Sequence, residues 1–183
     1  PVYQLNDIVC GYEGKPVLRV ESLSLYDDGP VAFVGHNGSG KSTLLNLLAF
    51  LLPPISGELM FQGTTAGKSG RGSLDATMLL QDPYLLRRSV FENVAYGLKA
   101  RGMKDVRSRV VEALEMVGLS PDFARRLWYQ LSGGEARRVA LASRLALRTK
   151  VLLLDEPTAN VDEESAQLIA QVILDARRMW GAL

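Results

Sequence analysis

Gly35-His36-Asn37-Gly38-Ser39-Gly40-Lys41-Ser42-Thr43 fits the pattern G-x-x-x-x-G-K-[ST], a loop that wraps backbone N–H groups around the phosphates of a nucleotide. It points to a nucleotide triphosphatase. The flanks come in the order such a loop requires, since Pro30-Val31-Ala32-Phe33-Val34 reads as a short buried strand and Ser42 to Leu52 as the helix that follows. The glycines let the backbone approach phosphate closely, and the helix N-terminus attracts anions. Lys41 can reach the β- and γ-phosphates, and the Ser42 hydroxyl can ligate Mg²⁺. A turn that merely joins strand to helix has no need of the Gly-Lys-Ser run.

Composition bounds what surrounds this loop. A chain of 183 residues with 47% hydrophobic content supplies one core, or a core with an inserted lobe, rather than two independent domains. Twenty-one Lys and Arg against twenty Asp and Glu give a formal charge of +1. The basic residues are scattered apart from pairs such as Arg125-Arg126 and Arg137-Arg138, so no nucleic-acid footprint stands out. The single cysteine, Cys10, has no second Cys or clustered His with which to share a disulfide or a metal, which fits a reducing, cytosolic setting. The longest apolar run, Leu44 to Leu52, is interrupted by Asn46 and closed by Pro53-Pro54, well short of the roughly 20 residues of a membrane span. The N-terminus lacks the basic-then-apolar pattern of a signal peptide, and the absence of an initiator Met suggests processing or trimming.

Along the chain, Val2 to Val9 and Val17 to Tyr26 read as strands around a turn at Gly11 to Lys15, and Gly57 to Phe61 as a further strand. Gly63 to Gly72 reads as an exposed loop and Ala76 to Leu80 as strand. Apolar residues then recur at helical spacing from Ser89 to Gly97 and from Asp105 to Val117, with Val106, Val110, Leu114 and Val117 on one stripe. A helical lobe therefore interrupts the α/β pattern. Val151 to Leu154 is a continuous apolar strand, and Glu163 to Trp180 a helix with Leu168, Ile169, Val172, Ile173 and Ala176 on its buried side. No internal repeat is visible.

That last strand ends in Asp155-Glu156, two acids at the carboxyl end of a strand, where open α/β sheets bind their ligands. Asp155 can hold Mg²⁺ directly or through water, and Glu156 is placed to orient or deprotonate the water that attacks a γ-phosphate. Beside a phosphate loop, this role outweighs that of a simple turn acid before Pro157.

Between the two half-sites stands Leu131-Ser132-Gly133-Gly134-Glu135. Ser132 and Glu135 make an S-x-x-E capping box that opens a helix running to about Arg148, and two glycines at its entrance leave backbone N–H groups uncovered. The run resembles the signature of ATP-binding cassette (ABC) ATPases, and the resemblance extends over nearly the whole chain. It implies a P-loop NTPase cassette with an N-terminal antiparallel β subdomain, a RecA-like core and an inserted α-helical subdomain. Within a single domain over 1–183, residues 1–83 would then hold the β subdomain and the first part of the core. Residues 84–131 would form the helical subdomain, ending at the signature, and 132–183 the second part of the core.

In the family, two cassettes pack head to tail so that Ser132, Gly133, Gly134 and Glu135 of one copy would close over the γ-phosphate of ATP held by the other. The implied unit is an ATP-dependent homodimer. Glu135 stands where the family usually has Gln. It keeps the capping geometry but adds negative charge near a phosphate, which implies slightly weaker ATP-driven closure. Gln81 resembles the glutamine that senses Mg²⁺ and the attacking water. Tyr12 resembles the aromatic that stacks on adenine. Ala159-Asn160-Val161-Asp162 resembles the loop that meets the opposite protomer, with Asp162 equally suited to capping the next helix. His36 sits at a variable loop position and is not the family's switch histidine. That histidine follows a further strand beyond Leu183, so the cassette reads as C-terminally incomplete, binding MgATP but turning it over poorly.

The implied duty is that of an ATPase subunit energising transport through a separate permease, peripheral on the cytoplasmic face of the cell membrane. Tyr84 to Leu98 looks like the stretch with which importer cassettes meet their membrane partner, Tyr84, Leu85 and Leu86 being the better surface candidates and Leu85, Phe91, Val94 and Leu98 suiting the packing of the helical lobe. The overall look is closest to bacterial importers of inorganic anions such as tungstate, molybdate or phosphate, served through the permease by a solute-binding protein. The alternative is a soluble ABC ATPase acting on ribosomes, DNA or cofactor assembly. The doubled cassette or long coiled-coil insertion of ribosome- and DNA-acting relatives is not seen.

Overall fold

Alternating apolar residues near the N-terminus give two long strands, β1 (Tyr3–Tyr12) and β2 (Lys15–Leu25), joined by a tight turn at Glu13-Gly14. The computed structural model describes residues 1–65, 72–159 and 162–182, which fall into two compact units, 1–78 and 79–182.

In the first unit β1 is paired antiparallel with both β2 and β3 (Ser56–Phe61), and β4 (Thr64–Thr65) extends the sheet in the order β2-β1-β3-β4. The inward face of β1 changes parity along the strand: Tyr3 and Leu5 are buried, then Ile8 and Cys10. The register with β3 breaks between Asn6 and Val9, where Asp7 takes a positive φ of 49°. A bulge of this kind moves the following residues to the opposite face. Opposite it stands Gly57, at φ 92°, where a Cβ would come within 2.3 Å of the Asp7 carbonyl oxygen. Only glycine fits.

Helix α1 (Lys41–Leu48) buries Thr43, Leu44, Leu45, Leu47 and Leu48, and the Tyr3 hydroxyl donates to the Leu48 carbonyl at 2.9 Å. The helix is shorter than the sequence periodicity suggests. It stops because Phe50 turns to φ 60°, setting its ring edge-on to Phe61 at 5.4 Å, while Leu52 precedes a proline and so disfavours the helical region. Pro30 to Val34, expected as a short buried strand, forms no strand and pairs with none among the described residues, and Val34 is 95% exposed. Apolar β-branched composition favours a strand, but a ladder needs a neighbour. Of the expected Gly63 to Gly72 loop, Thr64 and Thr65 are strand, residues 66–71 lie outside the described residues, and Gly72 opens the short helix α2 (Gly72–Asp75). Strand β5 (Ala76–Leu79) leads into the second unit.

There α3 (Val90–Ala100), α4 (Val106–Met116), α5 (Gly133–Leu145) and α6 (Glu163–Trp180) surround one core, with β6 (Val151–Leu154) beside the end of β5. Val90, Val94, Leu98, Val110, Leu114 and Val139 are fully buried. The expected stripe on α4 holds, Val106 being partly buried. On α6, Ile169, Val172 and Ala176 are buried, while Leu168 and Ile173 pack at the core's edge. Ser89 caps α3 by accepting from the Glu92 N–H at 3.2 Å. Buried Asn93 folds the preceding loop back, accepting from Leu86 N–H at 2.7 Å and donating to the Leu86 and Ser89 carbonyls. Val94 and Leu98 are core, Leu85 and Phe91 pack against it, and Tyr84 is 93% exposed. Two 3₁₀ turns, Pro121–Arg125 and Trp128–Gln130, connect α4 to α5.

Candidate functional site

In the loop from Gly35 to Gly40, Ser39 N–H donates to the His36 carbonyl at 3.2 Å, and Gly38 and Gly40 take φ values of 81° and 93°. At Gly40 a Cβ would stand 3.1 Å from Leu18, so the loop's exit runs tight against β2. The Lys41 ammonium folds back over the loop and donates to the carbonyls of Gly35 at 2.9 Å and His36 at 3.0 Å. The cation is thus held against the backbone of the loop that the motif picks out. Ser42 and Thr43 sit in the first turn of α1, Thr43 buried. His36 is exposed, its Nδ1 2.9 Å from the Asn37 carbonyl, as expected of a loop residue. Tyr12 lies half exposed at the end of β1, its hydroxyl accepting from Asn46 at 3.4 Å.

In the second unit, β6 delivers the acidic pair. The Asp155 N–H donates to the Leu79 carbonyl at 3.0 Å, and Asp155 is 7% exposed. The exposed Glu156 adopts φ 47°, a conformation uncommon for a non-glycine residue. Its carboxylate accepts from the Gln81 amide nitrogen at 2.9 Å. The structure therefore brings together two residues 75 positions apart in sequence, both singled out from motifs.

At the start of α5 both halves of the capping box are made. Ser132 N–H donates to the Glu135 carboxylate at 2.8 Å, and Glu135 N–H donates to the Ser132 hydroxyl at 3.2 Å. The bond from the Ser132 N–H holds the Glu135 carboxyl below its usual range, with Arg126 helping. Gly133 and Gly134 are exposed, as their expected role requires. The sequence reading missed Arg126, which stands 3.4 Å from Glu135 and lies over the Phe123 ring at 3.7 Å. It offsets the charge that Glu135 brings to the signature. Asp162 caps α6, accepting from Ser165 N–H at 2.8 Å, so the capping role expected for it is filled. The rest of that expected protomer-contact loop, Asn160 and Val161, lies outside the described residues.

The donors proposed for a metal are all oxygens, namely the Ser42 hydroxyl, the Asp155 carboxylate and the Gln81 amide oxygen, a set suited to Mg²⁺.

A family model described as ABC transporter matches residues 18–159. The chain belongs to the ABC transporter family. It is an ATP-binding ATPase subunit of that family, with the cassette fold of a P-loop NTPase. The chain is 40% identical over 176 residues to the tungstate uptake system ATP-binding protein TupC of Peptoclostridium acidaminophilum, covering 95% of this chain and 80% of that protein. It is 37% identical to the energy-coupling factor transporter ATP-binding protein EcfA2 of Caldanaerobacter subterraneus, covering 88% of this chain and 60% of the relative. Among solved structures, CbiO1 of Clostridium perfringens, part of the ABC transporter complex CbiONQ, superposes with a TM-score of 0.82 at 29% identity, over 98% of this chain and 75% of that one. A dimeric ATP-binding cassette in a post-hydrolysis state with ADP and Pi superposes with a TM-score of 0.87 at 26% identity, over 98% and 85%. No helix among the described residues of the cassette is long and apolar enough to cross a membrane.

Proposed function

We propose that this cassette energises an importer of a small inorganic oxyanion, working as an ATP-dependent head-to-tail pair on separate permease subunits at the inner face of the membrane. A solute-binding protein reaches it only through the permease. The observation that carries the hydrolytic part is the Gln81–Glu156 pairing at the end of β6. The similarity to a tungstate uptake ATPase supports the choice of solute, with molybdate and phosphate as chemically related candidates.

In this reading one domain, 1–183, binds ATP with Tyr12 against the adenine and the N–H groups of Gly35 to Thr43 around the phosphates. Lys41 neutralises the β- and γ-phosphates, and Ser42, Gln81 and Asp155 would hold Mg²⁺, which would offset phosphate charge. Ser132, Gly133, Gly134 and Glu135 of the second copy present a helix N-terminus to the γ-phosphate. Gln81 orients the water and Glu156 takes its proton. A new P–O bond forms as the bond to the β–γ bridging oxygen breaks, and ADP and phosphate leave. Charge stabilisation by pre-placed donors supplies most of the rate, because phosphoryl transfer leaves little covalent work to the protein. Release reopens the pair and moves the permease.

Deleting the gene from its host and following uptake of labelled tungstate, molybdate and phosphate tests the transport part. Uptake of one of the three should fall to background and return with the intact gene but not with Glu156→Gln. Unchanged uptake of all three would contradict the assignment to oxyanions.

A further inference from the structure

Arg137 stands in the second turn of α5, one turn after the glycines of the signature. Its two terminal nitrogens serve different loops. Nη2 donates to the carbonyl of Gln81 at 2.6 Å, and Nη1 donates to the carbonyl of Ala159. Ala159 in turn donates its N–H to the Glu156 carbonyl at 3.1 Å, and the Glu156 carboxylate accepts from the Gln81 side chain at 2.9 Å. The four contacts close a ring: Arg137, Ala159, Glu156, Gln81 and back to Arg137.

We propose that Arg137 is a positioning residue, whose guanidinium ties the Gln81 and Glu156 loops to the helix that begins at Ser132–Glu135 and so fixes where the two reacting side chains stand. The proposal rests on the hydrolytic roles given above to Gln81 and Glu156. A planar guanidinium presents donors in a fixed fork, so it holds two carbonyls at a set separation, which a single point-like ammonium on a flexible stem does not. Both acceptors are backbone atoms, so the fork sets the course of the chain rather than a rotamer. The ring also accounts for the persistence of the positive φ at Glu156, since such a conformation survives only where its surroundings over-determine it. Because α5 carries the signature at its N-terminus, any shift of that helix is passed through Arg137 to both loops, which are packed on the same unit.

The test uses Arg137→Gln and Arg137→Lys in the whole protein, with three readouts: ATPase kcat and KM, ATP affinity, and amide exchange at Ala159 without nucleotide. The expected result in both variants is a fall in kcat of at least about tenfold, the scale on which small displacements of reacting groups act. KM and ATP affinity should hold, and Ala159 exchange should be faster while the amides of the α5 interior keep their protection. Unchanged kcat in both variants overturns the proposal, as does a fall in kcat with unchanged Ala159 exchange. A parallel loss of ATP affinity and kcat marks a merely structural residue and also overturns it. If the unsubstituted protein hydrolysed no ATP, the function proposed above would fall, and the exchange result alone would still decide whether the ring exists.

Discussion

Lys41 shows how one side chain is readied by its own loop. Its ammonium rests on the Gly35 and His36 carbonyls, and in the proposed function phosphate binding would exchange these two neutral acceptors for anionic ones, which bind a cation more strongly. Lys41→Ala removes the charge without filling the loop. ATP affinity measured by calorimetry should fall by about 100-fold, the sum expected of charge-assisted bonds lost to two phosphates, with the melting temperature unchanged. An unaltered affinity would show that the backbone N–H groups alone hold the nucleotide. Lys41 was singled out by the spacing of its motif, Asp155 and Glu156 by their place at the end of an apolar strand, and Gln81 only through the family resemblance. Arg137 was not legible. Its partners lie 56 and 22 residues away and are carbonyls, which every residue type possesses, so no residue pattern announces them.

At the scale of elements, the helices of the second unit could be read from period alone, since Val110 and Leu114 of α4, or Ile169, Val172 and Ala176 of α6, repeat at the interval of a helix face. The signature helix was legible through its capping box. Strand behaviour was less so, because pairing and bulges are set by neighbours: Asp7 reverses the inward face of β1, and the Pro30–Val34 run has no ladder among the described residues. The caps yield a prediction with a definite sign. Ser132→Ala removes the acceptor of the Glu135 N–H and should destabilise the protein by about 1 kcal/mol in denaturant unfolding, through the end of α5 that presents the signature. The Glu135 and Asp162 carboxyls are both held below their usual ranges, Glu135 chiefly by the Ser132 N–H and Asp162 chiefly by the Ser165 N–H. Depressed folded-state values mean that this stabilisation is present above the ordinary carboxyl values of 4.5 and 3.8 and is lost as pH falls through the lower folded values. Melting temperatures should therefore drop below about pH 4, and drop less steeply in a Glu135→Gln, Asp162→Asn double variant. An equally steep drop in that variant would place the acid sensitivity in other carboxylates.

At the scale of the whole molecule, the chain spans 80% of the tungstate relative and 60% of the energy-coupling factor relative, and the family match runs from residue 18 to 159. Both halves of the proposed chemistry fall within or beside that match, with the phosphate loop in the first unit and Gln81, Glu156 and the signature in the second. In the proposed head-to-tail pair the signature of one copy acts on the nucleotide of the other, so the account stands or falls on ATP-dependent pairing. The direct measurement is the mass of Glu156→Gln by size exclusion with light scattering, with and without saturating MgATP. Loss of the proton acceptor should slow hydrolysis by at least about 100-fold and hold ATP in place. The account predicts a monomer without nucleotide and a dimer with it. A protein that binds MgATP tightly by calorimetry yet stays monomeric would contradict it.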